Sequence, residues 1–151
     1  MNTHRSFLLG ACVVAGLLAT TPVLAQFATT PAVGGAFQRP STAETPLEYR
    51  SDGARHLYAA YGKQIHKGKM PPLLYGIAII ETEIGADGHV HSVNIVRKPA
   101  AAEVGPWAVE MIKKASPFPA PRKMGSVKYT EIWLVDKSGR FQLDTLTEGQ
   151  R

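Results

Sequence analysis

The segment LLYGIAIIETEIGADGHVHSVNIV, residues 73–96, predicts a β-hairpin around which the rest of the fold can be arranged. The first half of this segment alternates between two faces of a strand. Ile80 and Ile84 share one face, whereas Glu81 and Glu83 share the other. This pattern indicates a strand with one side in a core and the other side in contact with water toward its end.

The turn of this hairpin is predicted by GADG at residues 85–88. Aspartate in such a turn hydrogen-bonds the backbone that follows it, and glycine readily adopts a positive φ. Residues 89–96 then return as a second strand. The odd step from Val90 to Val93 along its apolar face predicts a β-bulge, because an extra residue is needed to restore the alternation.

Two helices and a further strand are predicted around the hairpin. A helix capped by Ser51 or Asp52 and a second helix at about 103–115 both show apolar residues at helical spacing. The apolar residues that share one face are Ala54, Leu57, Tyr58, Tyr61 and Ile65 in the first helix, and Val104, Ala108, Met111, Ile112 and Ala115 in the second. Residues 127–136 predict a third strand and 141–146 a candidate fourth. The predicted fold class is therefore α+β, a small antiparallel sheet of three or four strands with two helices on one face.

Residues 1–25 have the parts of a secretory signal peptide. Arg5 precedes the apolar run FLLGACVVAGLLA, and the segment ends with small residues after a proline. We predict cleavage between Ala25 and Gln26. Two alternatives stay open: the segment is retained as a membrane anchor, or Cys12 in LGAC is the acylated residue of a lipoprotein.

The rest of the chain divides by composition into three parts. Residues 26–46 form a spacer rich in proline, glycine and threonine, residues 47–146 form the folded domain, and residues 147–151 form a tail. The chain has 151 residues, with 44% hydrophobic and 19% charged residues, which is typical of one globular domain. Cys12 is the one cysteine, so an internal disulfide, a cysteine zinc site and an iron–sulfur cluster are excluded.

The formal net charge of +5 is spread along the sequence. Export of the chain argues against nucleic acid as a partner. We interpret the basic residues as a solvated surface, with attraction to anionic lipid or peptidoglycan as the alternative.

No group of residues predicts catalysis. Glu81 and Glu83 lie at the end of a strand rather than in a predicted cleft, and the serines lack a G-x-S-x-G motif. His89 and His91 are two residues apart on a strand, a spacing at which two imidazoles can share a metal, but the spacing fixes no third ligand. We therefore predict no enzymatic activity and no cofactor, and we keep metal binding by His89 and His91 as an alternative.

Residues 49–136 resemble the C-terminal domain of the TonB/TolA family. The resemblance rests on ADGHV at 86–90, VNIV at 93–96, and a helix that ends in IKKASPFP at 112–119. The last motif is the most specific, because many hairpins contain an Asp-Gly turn. The resemblance implies a periplasmic, non-catalytic domain that binds partner proteins, in several cases by pairing a partner segment with a sheet edge.

The same resemblance implies an adaptor in envelope transport or envelope integrity. Its partner would be an envelope protein, such as an outer-membrane receptor or a Tol/Ton component. The alternative is an energy transducer anchored in the inner membrane, in which case the retained N-terminal segment contacts the membrane. A spacer of about 21 residues reaches about 70 Å when fully extended, which is short for crossing a periplasm.

The predicted third strand contains the candidate partner-binding site. It follows a proline-rich segment and is expected near a sheet edge, where unpaired N–H and C=O groups can receive an extended segment. The candidate residues are Tyr129, Glu131, Trp133 and Val135. Because residues 140–146 can fold back onto the same edge, we hypothesise that the tail competes with the partner.

Overall fold

The computed structural model describes residues 39–150. Along the chain, the helices are α1 (Pro46–Ala60) and α2 (Val104–Lys114), with short 3-10 turns at Gly62–Gln64 and Asp144–Leu146. The strands are β1 (Gly76–Ile84), β2 (Val90–Arg97), β3 (Val127–Val135) and β4 (Phe141–Leu143). The predicted signal peptide, the cleavage site between Ala25 and Gln26, and most of the predicted spacer lie outside the described residues.

The four strands form one antiparallel sheet in the order β2-β1-β3-β4. The predicted α+β fold class is confirmed, and the candidate fourth strand is present as β4. No helix within residues 39–150 combines the length and the apolar character needed to cross a bilayer.

Helix α1 begins earlier than the prediction from Ser51 or Asp52. Thr45 is its N-cap and accepts a hydrogen bond from the Glu48 N–H at 3.3 Å, while Pro46 occupies the first turn. These residues match two helix-start signals, a Thr-x-x-Glu capping box and a proline at the first helical position. Helix formation therefore starts inside the segment that the sequence assigns to the spacer.

The hairpin between β1 and β2 contains the predicted turn and the predicted bulge. The Gly88 N–H donates to the Gly85 carbonyl at 2.9 Å, and Gly88 has a φ of 89°. Glu83 lies opposite Ser92 whereas Ile84 lies opposite Val90, so His91 is the extra residue of the bulge. A second bulge lies farther along the hairpin: Ile80 lies opposite Ile95 and Ile79 opposite Arg97, so Val96 is the extra residue.

The core lies between the helices and one face of the sheet. The even-numbered residues of β1 and the odd-numbered residues of β3 are buried. Three aromatic side chains fill the space beneath α2: Trp107 lies edge-on to Trp133 at a centroid distance of 6.0 Å, and Trp133 stacks on Phe141 at 4.8 Å. The aromatic cluster therefore joins α2, β3 and β4.

Ile112 and Lys113 are neighbours on α2 with opposite environments. The Ile112 side chain is 1% exposed, whereas Lys113 is exposed. Replacing Ile112 with alanine should lower the free energy of unfolding by about 2–5 kcal/mol, because the change removes core volume and leaves a cavity. Lys113→Ala should change it by less than about 0.5 kcal/mol. Urea denaturation of both variants measures the difference, and equal losses would contradict this orientation of α2.

Candidate functional site

The outer edge of β2 is the longest open edge in the described part of the chain. β2 pairs with β1 on one side, and within residues 39–150 no strand pairs with it on the other. The Val90 N–H points away from β1 and donates to Ser116 Oγ at 3.1 Å. In a strand, the N–H and C=O groups of successive residues point alternately toward and away from the neighbouring strand. The extra residue His91 shifts this alternation by one residue, so Val93 and Ile95 direct their N–H and C=O groups away from β1. These groups can receive a further strand.

Helix α2 runs alongside this open edge. A Cβ atom on Gly105 would lie 2.9 Å from Ile95 Cδ1, and at the other end of the helix the Ser116 hydroxyl reaches Val90. The helix is therefore antiparallel to β2. On the flank of α2 away from Trp107, helical spacing places Val109, half-buried, and Lys113, exposed. This flank lies on the side of the helix toward the open edge.

The candidate residues Tyr129, Glu131, Trp133 and Val135 all lie on β3 and face the helices. Each of the four side chains is at most 1% exposed. β3 pairs with β1 along its whole length and with β4 from Trp133 to Val135, so the expectation of an edge strand is wrong for that part. These four side chains belong to the core, and a partner lying against the sheet edge would not contact them.

Glu131 marks the point where β4 leaves β3. Its Oε1 atom accepts hydrogen bonds from the N–H groups of Ile132 at 3.0 Å and Thr145 at 3.4 Å, and pairs with Arg50 at 3.1 Å. Where the pairing of β3 with β4 ends, the Glu131 carboxylate thus accepts the N–H bonds that a backbone carbonyl of a neighbouring strand would otherwise accept. The pKa of the Tyr129 hydroxyl is raised well above its usual value by burial and by the Glu131 charge. Tyr129 therefore stays neutral and donates to Glu131.

Beyond β4, the other side of β3 is open over residues 127–132, because no strand within the described range pairs there. This second open section is shorter than the edge of β2. The Ile132 N–H on that side is already occupied by Glu131. Lys128 and Thr130 share the outward orientation of Ile132, so this section offers two residues with outward backbone groups over a shorter length than β2.

β4 occupies the edge of β3 from Trp133 to Val135, as the competition hypothesis requires, but it is held from both sides. Phe141 and Leu143 are 0% exposed and belong to the core. On the far side, the Gln142 amide donates to the carbonyls of His66 at 2.9 Å and Gly68 at 2.7 Å. A partner would therefore have to extract two core side chains to replace β4.

Asp136 fixes the turn that leads into β4. Its carboxylate accepts the Ser138 hydroxyl at 2.6 Å and lies 2.6 Å from His66 Nδ1. Burial raises the pKa of Asp136, but hydrogen bonds from Ser138, His66 and Arg140 outweigh burial and lower it. The carboxylate therefore remains charged and anchors the segment around residue 66 to the turn.

His89 and His91, the candidate metal ligands, lie in different surroundings. His89 lies in the turn and pairs with Asp87 at 3.0 Å, whereas His91 lies in the bulge beside Gly85. Among residues 39–150 no group of three or more histidine, cysteine, aspartate and glutamate side chains is arranged to hold a metal. The described residues therefore give the metal-binding alternative no ligand set.

Comparisons with known protein families, with curated proteins and with solved structures found no match to this chain.

Proposed function

We propose that this domain is a non-catalytic protein-binding module that takes up an extended partner segment as an additional strand along β2. The observation that carries the proposal is the open edge of β2, where Val93 and Ile95 direct unpaired backbone groups outward beneath the flank of α2. Backbone pairing supplies affinity in such complexes, and the side chains beside the edge supply specificity. We therefore propose β2, rather than β3, as the docking strand.

The cellular setting of the proposal comes from the sequence. The signal-peptide pattern of residues 1–25 and the resemblance to the TonB/TolA C-terminal domain support a periplasmic adaptor in envelope transport or envelope integrity. The partner would be an envelope protein, with an outer-membrane receptor or a Tol/Ton component as candidates. If the N-terminal segment is retained, the same domain would belong to a transducer anchored in the inner membrane.

A proline at position 93 tests the proposal, because proline lacks the outward N–H of Val93. Proline is tolerated in an edge strand when its nitrogen faces away from the ladder, so the fold should persist. A photoreactive residue at the exposed Asn94 captures partners from an envelope extract. Val93→Pro should reduce capture of the same protein by at least about tenfold, since it removes a central pairing group.

Val93→Ala is the matched control, because it removes a similar part of the side chain and keeps the N–H. We expect this variant to capture the partner within about threefold of the original chain, given that an edge substitution of this kind perturbs packing only modestly. Circular dichroism and thermal melting verify that both variants are folded. Equal capture by folded Val93→Pro and Val93→Ala would rule out strand addition at β2.

A further inference from the structure

One end of the sheet exposes aliphatic side chains to water. This end contains the start of β1, the end of β2 and the turn between β3 and β4, since Gly76 lies opposite Val135 and Ile79 lies opposite Arg97. Leu73, just before β1, is 80% exposed, and Val96 in the second bulge of β2 is 63% exposed. Such exposure costs free energy in water unless another apolar surface covers it.

Four cationic side chains lie at the same end of the sheet as these aliphatic residues. Arg97 is the last residue of β2 and Lys98 follows it, whereas Lys137 and Arg140 lie in the turn between β3 and β4. All four are exposed, and none has an ion-pair partner among residues 39–150. We call these four residues, together with Leu73 and Val96, the basic end of the sheet.

Two carboxylates near the basic end offset part of its charge. Asp136 is 6% exposed and accepts hydrogen bonds from Ser138 and His66, while Glu103 accepts the Tyr75 hydroxyl. Glu83 and Asp87, which are exposed, belong to the hairpin end at the opposite side of the sheet. At the end that exposes Leu73, the four cations therefore outnumber the two nearby carboxylates, Asp136 and Glu103.

The face of the sheet opposite the helices is also partly apolar. Two half-buried cross-strand pairs lie there side by side, Ile77 with Leu134 and Ile79 with Ile132. A trough of about 380 Å³ separates the loop at 71–73 from the turn at 136–138. Pro71 and Pro72 restrict the backbone of this loop, so Leu73 is presented on a stiff support.

We propose that the basic end of the sheet binds the surface of an anionic lipid bilayer. Leu73 and Val96 enter the headgroup region, and Arg97, Lys98, Lys137 and Arg140 contact anionic headgroups. Peripheral proteins commonly require both signals, because apolar insertion and electrostatic attraction are each weak alone. The exposed aliphatic side chains and the cations without ion-pair partners at this end of the sheet supply both. This proposal does not depend on strand addition at β2.

Co-sedimentation with vesicles tests the proposal on the whole chain. Every variant keeps the same N-terminal residues, so any binding by residues 1–25 contributes equally. We expect binding to vesicles containing phosphatidylglycerol to be stronger than binding to pure phosphatidylcholine, and to weaken with added salt. Arg97→Glu combined with Lys137→Glu should reduce the partition coefficient by at least about tenfold, since each basic residue contributes about fivefold.

The control variant combines Lys113→Glu with Arg122→Glu, two exposed residues away from the basic end that give the same change in net charge. We expect it to bind within about threefold of the original chain, because screening confines the attraction to charges close to the membrane. An equal loss in both double variants would mean non-specific attraction and would overturn the proposal.

A second readout examines insertion directly. The fluorescence of the new side chain in Leu73→Trp should be quenched by lipids brominated in their acyl chains when phosphatidylglycerol is present. Bound protein without quenching at this position would overturn the assignment of Leu73 to the membrane contact. Unchanged vesicle binding by the folded Arg97→Glu, Lys137→Glu variant would overturn the whole proposal and leave the basic end to a protein partner.

Discussion

Replacing Gly88 with valine should lower the free energy of unfolding by about 2–5 kcal/mol, from two separate causes. Gly88 has a φ of 89°, a conformation that β-branched residues rarely adopt. In addition, a Cβ atom at this position would lie 2.1 Å from the Phe118 carbonyl oxygen, while the Phe118 N–H donates to the Gly88 carbonyl. The clash is with backbone, so the loop after α2 must move away from the hairpin.

Gly125→Val separates these two causes. Gly125 has a φ of 74°, and a Cβ atom there would have no neighbour within 4 Å. The control should therefore show only the cost of the strained backbone, about 1–3 kcal/mol. Urea denaturation of both variants gives the two free energies. A loss at Gly88 no larger than that at Gly125 would contradict the close contact between the hairpin turn and Phe118.

The hairpin was predictable because its signals are local. The turn at 85–88 and the odd step from Val90 to Val93 each reflect geometry within a few residues, and both features are present in the structure. The start of α1 was also readable, since Thr45, Pro46 and Glu48 carry the capping signals. The proline-rich context before them favoured a spacer instead, although Ser41 and Ala43 are buried against the domain.

The position of β3 in the sheet was less accessible from the sequence. Alternation shows which residues share a face but not which strand lies beside another. One signal did point to an interior strand: Ile132 and Leu134 are apolar on the face opposite Trp133, and both are half-buried. Glu131 obscured that signal, because a carboxylate inside a strand suggests a solvent face, whereas here it closes the ladder beside Thr145.

The surfaces used in the two proposals come from the tertiary arrangement. The open edge of β2 follows from the order of the strands, which brings β4 to the opposite edge. The basic end joins residues 73, 96–98, 137 and 140, which are far apart in the sequence and lie at one end only because the strands are antiparallel. Runs of charge along the sequence therefore could not reveal it.

A chain that ends at Ser138 should fail to fold, which bears on the hypothesis that the tail competes with a partner. The truncation removes Phe141 and Leu143, both 0% exposed, and leaves Trp133 without the ring stacked on it at 4.8 Å. Loss of a buried phenylalanine costs about 3–5 kcal/mol and loss of a buried leucine about 2–5 kcal/mol. Together these losses approach the whole stability of a small domain, about 5–15 kcal/mol.

Circular dichroism and thermal melting measure this effect, with Phe141→Ala as the milder variant and Lys137→Ala as the control. Phe141→Ala should keep the fold and lose about 3–5 kcal/mol, whereas Lys137→Ala, at an exposed position, should change stability by less than about 0.5 kcal/mol. A cooperative melting transition in the chain ending at Ser138 would contradict the expectation. β4 would then be a detachable strand, and exchange with a partner segment at the edge of β3 would become the stronger proposal for partner binding.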